Sequence, residues 1–125
     1  MDRLEQIAQF MLDQHKLKQN FQNLPKSLMP KDFDEAYKIQ QIFQRNSGRG
    51  DLGGFKIALA SRGQQELCSI DHPIAGGIFA NEIKTSPAIF ELHNFHGLGL
   101  EFEIAVTLSD DLKPEMGPFN NQNIR

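Results

Sequence analysis

The chain has one cysteine, Cys68, so an internal disulfide framework is excluded and a reducing compartment suits it. It has no apolar run near the roughly 20 residues a membrane-spanning helix needs. Basic residues are not in excess: 13 Lys and Arg face 16 Asp and Glu, for a net charge of -3. That balance removes the electrostatic reason to expect a nucleic-acid partner. No Asn-x-Ser/Thr acceptor occurs, and Met1-Asp2-Arg3 leads into a polar-faced helix, not a signal peptide. These absences set the expectation of a cytoplasmic protein with neither nucleic acid nor membrane as partner. What is present, 39% hydrophobic and 23% charged residues over 125 positions, is enough for one modest globular domain with a core.

Leu4, Ile7, Ala8, Met11 and Leu12 follow the spacing of one helical face, with Asp2 and Glu5 as a start signal and Lys16 and Lys18 near the end. Residues 19–31, holding Pro25 and Pro30, read as a connection. Asp32 then caps a second helix, with Glu35 in the matching place, Ala36, Ile39 and Phe43 on one side, and Arg45, Asn46 and Gly48 at its end. After a Gly-rich turn at 48–54 the pattern changes to short strands. Phe55, Ile57 and Leu59 alternate with Lys56, Ala58 and Ala60; 61–69 reads as a short helix; 76–80, 88–92 and 100–108 read as further strands. The expected class is α+β: a helical region 1–47 followed by β-rich residues 48–125. The tail from Pro114 reads as a loop entering a new element, so the expectation is a single partial domain that continues beyond this sequence.

The segment Leu100-Glu101-Phe102-Glu103-Ile104-Ala105-Val106-Thr107-Leu108 sets two acids into an otherwise buried-looking strand. On a strand Glu101 and Glu103 share a face, about 6–7 Å apart along the chain, within reach of one cation. Oxygen donors suit Mg²⁺, Mn²⁺ or Ca²⁺ better than zinc or copper. The alternative is a half-buried strand that turns an ordinary polar face to water. Lys56 is a lone cation whose own strand face carries only Ala58 and Ala60. Such a lysine can hold a substrate carboxylate or an enolate oxygen, or can simply protect a sheet edge.

Other motifs carry less. Gly48-Arg49-Gly50-Asp51-Leu52-Gly53 matches the dinucleotide fingerprint in letters, but it follows a helix and opens a strand, the reverse of the order that places a pyrophosphate on a helix N-terminus. Its Arg49-Gly50-Asp51 tripeptide is a chance match to an adhesion signal. His93 and His96 have metal-like spacing only on a helix, and Asn94 and Gly97 argue for a loop. Cys68 and His72 are near in sequence, which does not define a nucleophile and base. His15 reads as a solvent-facing helix residue.

The order of two helices, the segment Asp32-Phe33-Asp34-Glu35-Ala36-Tyr37-Lys38-Ile39-Gln40, then Gly54-Phe55-Lys56-Ile57-Ala58-Leu59-Ala60-Ser61, Asp71-His72-Pro73-Ile74-Ala75-Gly76 and the Glu-x-Glu segment resembles the N-terminal half of the 2-keto-4-pentenoate hydratase / 4-oxalocrotonate decarboxylase family of the fumarylacetoacetate hydrolase superfamily. The resemblance spans nearly the whole chain. It implies the first strands of a fumarylacetoacetate-hydrolase-like β-rich core, Glu101 and Glu103 as ligands of a catalytic Mg²⁺ or Mn²⁺, and Lys56 as the active-site lysine. It implies a third acidic ligand with no counterpart here, and a homo-oligomer for the full-length protein. Departures are Ala58 and Ala60 where relatives often carry Gly and Thr, Ile74 where they often carry an acid, and Gly99 where they often carry Arg.

By that resemblance the expected activity is a metal-dependent lyase of aromatic catabolism acting on a small 2-oxo acid, a 2-oxopent-4-enoate hydratase first, with a decarboxylase or a C–C hydrolase as alternatives. A chain with two carboxylates alone is expected to hold a hard cation weakly and to turn over little. A metal-free binding or assembly module is the rival from another class.

Overall fold

The computed structural model describes residues 1–17, 21–95 and 97–120. Its order is helix α1 (Arg3–Lys16), helix α2 (Phe33–Asn46), strand β1 (Leu52–Ala58), helix α3 (Arg62–Cys68) and strand β2 (Ile74–Phe79), with short 3-10 turns between. The class is α+β, with three helices and a two-stranded antiparallel sheet.

Local chemistry sets the helix starts. Asp2 accepts from the Glu5 backbone N–H at 2.9 Å while Glu5 accepts from the Asp2 N–H at 3.0 Å, which satisfies two otherwise orphaned donors. Asp32 accepts from the Glu35 N–H, and Ser61 and Gln64 form a second reciprocal cap on α3. Ser69 closes α3 in the left-handed region with φ 55°. The connection at 19–31 contains a 3-10 turn at Lys26–Leu28, and Lys18 lies outside the described residues.

α1 packs against α2 through Ile7, Ala8 and Ile39, with Leu4, Leu24, Leu28, Ile42 and Phe43 around them. Arg3 bridges the pair by donating to Glu35 at 2.7 Å and to the Met29 carbonyl. The sheet is tied to α2 from one side: the Ala75 N–H donates to the Tyr37 hydroxyl, and Gln40 Nε2 donates to the Ala75 carbonyl, both at 3.1 Å. Gly77 makes this approach possible, because a Cβ there would stand 2.6 Å from Gln44 Nε2. Gly53 lies at the irregularity in the ladder between Leu52 and Gly54, where a Cβ would fall 2.7 Å from the Ala80 backbone.

The β-rich expectation is met only in part. The strand expected from Phe55 begins earlier, at Leu52, inside the stretch read as a turn, and the one expected at 76–80 begins at Ile74. The strands expected at 88–92 and 100–108 are absent among the described residues. Leu92–Asn94 forms a 3-10 turn, and 101–108 has no regular hydrogen bonding. The alternation in 100–108 supplies a face but not a ladder, and a strand exists only once its backbone groups meet a partner's.

Candidate functional site

The site begins on β1. Lys56 lies opposite Gly76 on β2, and a Cβ at Gly76 would meet nothing within 4 Å, so the lysine stem has open space beside it. Lys56 Nζ donates to Glu101 Oε2 at 2.6 Å and to Glu103 Oε1 at 2.5 Å. Residues 45 and 47 positions away in sequence therefore converge on one ammonium. Period-two geometry accounts for the pairing: both acids reach the lysine while Phe102 between them is 99% exposed. The three site residues expected from sequence are thus brought together, although the segment that carries the acids is not a strand.

The cluster is open to water: Lys56 keeps 39%, Glu101 71% and Glu103 52% of side-chain exposure. The hydrogen bond from Lys56 holds the Glu101 carboxyl below the usual 4.5. The bonds to Glu101 and then Glu103 raise the Lys56 ammonium above its usual 10.5. A lowered carboxylate contributes to holding the segment above its unfolded value and loses that contribution as pH falls through its folded value. A raised ammonium contributes below 10.5 and loses it as pH climbs through its raised value. The clasp is therefore complete from mildly acid to alkaline pH. In a ¹³C-detected titration Glu101 is expected to ionise below 4.5 and to return to that ordinary value in Lys56→Met. A Glu101 midpoint at or above 4.5 in the wild-type chain would count against the clasp.

Chemically, the arrangement offers one positive charge held between two carboxylate oxygens. Carboxylate oxygens are donors of the kind a hard cation takes, and the point on which these two converge is occupied by Lys56 Nζ. Among the described residues no three of His, Cys, Asp and Glu gather into a fuller ligand set. Glu101 and Glu103 supply two oxygen donors of the type Mg²⁺ or Mn²⁺ takes, with Lys56 Nζ hydrogen-bonded to both.

The remaining candidates do not join this cluster. His15 is exposed on α1 yet packs its ring against Phe21 at 4.7 Å and Phe43 at 5.0 Å; burial, then Arg49, lowers its pKa. His72 Nδ1 lies 2.7 Å from Asp71 Oδ1, and its ring meets Phe33 edge-on, while Cys68 is exposed. His93 sits in a 3-10 turn, and His96 lies outside the described residues. Arg49, dismissed in two motif readings, is a structural tie instead: it donates from two nitrogens to Glu82 and lies 4.3 Å from the centre of the Phe79 ring. No local signal links Arg49 to a residue 33 positions away. An apolar cavity of about 400 Å³ between α1, α2 and β2, lined by Ile7, Met11, Ile39, Phe43 and Phe79, reaches Gly76 opposite Lys56 but is not lined by Lys56 or the two acids.

The fold and the cluster together define a small α+β chain with an exposed ammonium–dicarboxylate centre. No family model matches it, and neither does any curated protein or solved structure. Among the described residues no helix is long and apolar enough to cross a membrane.

Proposed function

We propose that this chain carries part of the metal centre of a divalent-cation-dependent lyase acting on a small 2-oxo acid, a 2-keto-4-pentenoate hydratase-like member of the fumarylacetoacetate hydrolase superfamily. A decarboxylase or C–C hydrolase of that superfamily is the alternative chemistry. The observation that carries the reading is the convergence of Lys56, Glu101 and Glu103 on one point. Glu101 and Glu103 would hold Mg²⁺ or Mn²⁺ by their carboxylates. When bound, such a cation supplies a Lewis acid to the carboxylate and keto oxygens of the substrate. Lys56, released from the acids, donates hydrogen bonds to the substrate carboxylate and adds positive charge where the 2-oxo group gains electron density. The open space beside Gly76 leaves that side chain room to turn.

The exposure of both acids favours a second reading, in which the three side chains are only an ionic clasp that fastens 100–108 to the sheet in a non-catalytic module. Thermal unfolding followed during Mn²⁺ titration, with and without pyruvate as the simplest 2-oxo acid, separates the two. The enzyme reading expects Mn²⁺ to raise the melting temperature and pyruvate to raise it further only when Mn²⁺ is present. Both shifts are expected to vanish in Glu101→Gln and Glu103→Gln. At 10 mM Mn²⁺ and a dissociation constant of about 1 mM, the gain is about 1.4 kcal/mol. No shift at any Mn²⁺ concentration leaves the clasp.

A further inference from the structure

Segment 100–108 is a strand-forming sequence held in place with nothing paired to it among the described residues. Its two acids are fastened to Lys56, while Leu100, Phe102, Ile104 and Val106 are 80%, 99%, 94% and 80% exposed. Among the described residues none of its backbone N–H or C=O groups takes part in a backbone hydrogen bond. A pinned, unpaired, apolar segment of this length is a template for another strand.

We propose that the strand it takes is the same segment of a second copy, paired antiparallel about a two-fold axis at Ile104. The sequence itself selects that register. With the axis at Ile104, Leu100 lies opposite Leu108, Phe102 opposite Val106 and Ile104 opposite itself, all on one face. On the other face Glu101 lies opposite Thr107 and Glu103 opposite Ala105, so no acid directly faces an acid. Moving the axis to Phe102 sets Glu101 against Glu103; moving it to Glu103 sets that acid against its own copy; moving it to Ala105 sets Leu100 against Asp110. A slip of one residue puts the apolar face against the polar one. The two Glu103 side chains lie diagonally, about 7–8 Å apart, and each is already neutralised in part by its own Lys56.

The contact is self-complementary and closes at two copies, as an isologous interface must. Flank-to-flank burial of these side chains removes roughly 400 Å² of apolar surface per copy, short of the ~800 Å² of a standard interface. A two-stranded ribbon is itself marginal. The dimer is accordingly weak, with a dissociation constant on the order of 10–100 μM. It forms whether or not the acids hold a metal.

The test is sedimentation equilibrium of the 125-residue chain from about 5 to 500 μM, a range bracketing that constant, joined to site-specific cross-linking in a Cys68→Ser background. A reversible monomer–dimer equilibrium is expected, weakened at least ~10-fold by Phe102→Lys, which loses an apolar flank and gains a charge. Ile104→Cys places two thiols across the axis within disulfide reach and is expected to give a covalent dimer under oxidised glutathione. Leu100→Cys places them eight residues apart, about 27 Å, and is expected to give none. Phe102, Ile104 and Leu100 are exposed in the single chain, so unchanged circular dichroism is expected in every variant. A chain monomeric throughout overturns the proposal. Open-ended assemblies, or equal cross-linking at positions 100 and 104, overturn the closed register.

Discussion

Ile7→Ala is expected to abolish most of the cooperative unfolding transition. Ile7 is 0% exposed, and with Ala8, Leu12, Ile39 and Phe79 it makes up the buried apolar set of the described residues. Truncating a fully buried Ile removes its transfer free energy and leaves a cavity, about 2–5 kcal/mol together. Domains of this size hold about 5–15 kcal/mol in total, and so small a buried set places this one toward the lower end. The loss falls where α1 meets α2, the contact on which the sheet is then anchored through Tyr37 and Gln40. Urea denaturation followed by far-ultraviolet circular dichroism measures it. Met11→Ala, at a position 37% exposed on the same helix, is expected to cost less than half as much. A cost for Ile7→Ala below about 1 kcal/mol would show that the α1–α2 contact is not what holds the chain together.

The helices were legible because their determinants are local. Asp2 with Glu5, Asp32 with Glu35 and Ser61 with Gln64 each complete a cap within four residues, and Ile7, Ala8 and Ile39 announce their faces by spacing alone. The strands were legible only where a partner exists. Gly53 and Gly54 read as a turn, yet both lie in β1, and Gly53 is there because the Ala80 backbone leaves no room for a Cβ. Segment 100–108 has a strand's alternation but no ladder, since pairing is a property of two segments and a sequence pattern describes one. The site's residue types were legible at Glu101, Glu103 and Lys56. Their meeting was expected only through the family resemblance, because no periodicity connects positions 45 residues apart. The ties from Tyr37 and Gln40 to Ala75 and from Arg49 to Glu82 carried no local signal at all.

Lys56→Met is expected to move two measurements in opposite directions. In the wild-type chain one ammonium sits between Glu101 and Glu103 at 2.6 and 2.5 Å, so any divalent cation must displace it before both acids can bind. Methionine keeps the length of the stem and removes the charge. The two carboxylates then face each other without a counter-ion and take up Mn²⁺ about 3–10-fold more tightly, a modest factor because exposed charges are well screened. Without Mn²⁺ the same repulsion releases 100–108 from the sheet, and cleavage by a protease specific for aromatic residues is expected to begin at Phe102. Added Mn²⁺ is expected to restore protection in Lys56→Met, since the cation then replaces the ammonium as the fastening, and to fail in Lys56→Met combined with Glu103→Gln. Electron paramagnetic resonance of free Mn²⁺ reads the affinity, and the cleavage rate reads the fastening. Unchanged affinity together with cleavage that Mn²⁺ does not slow would mean that the lysine and the two acids are a clasp alone, with no place between them for a metal.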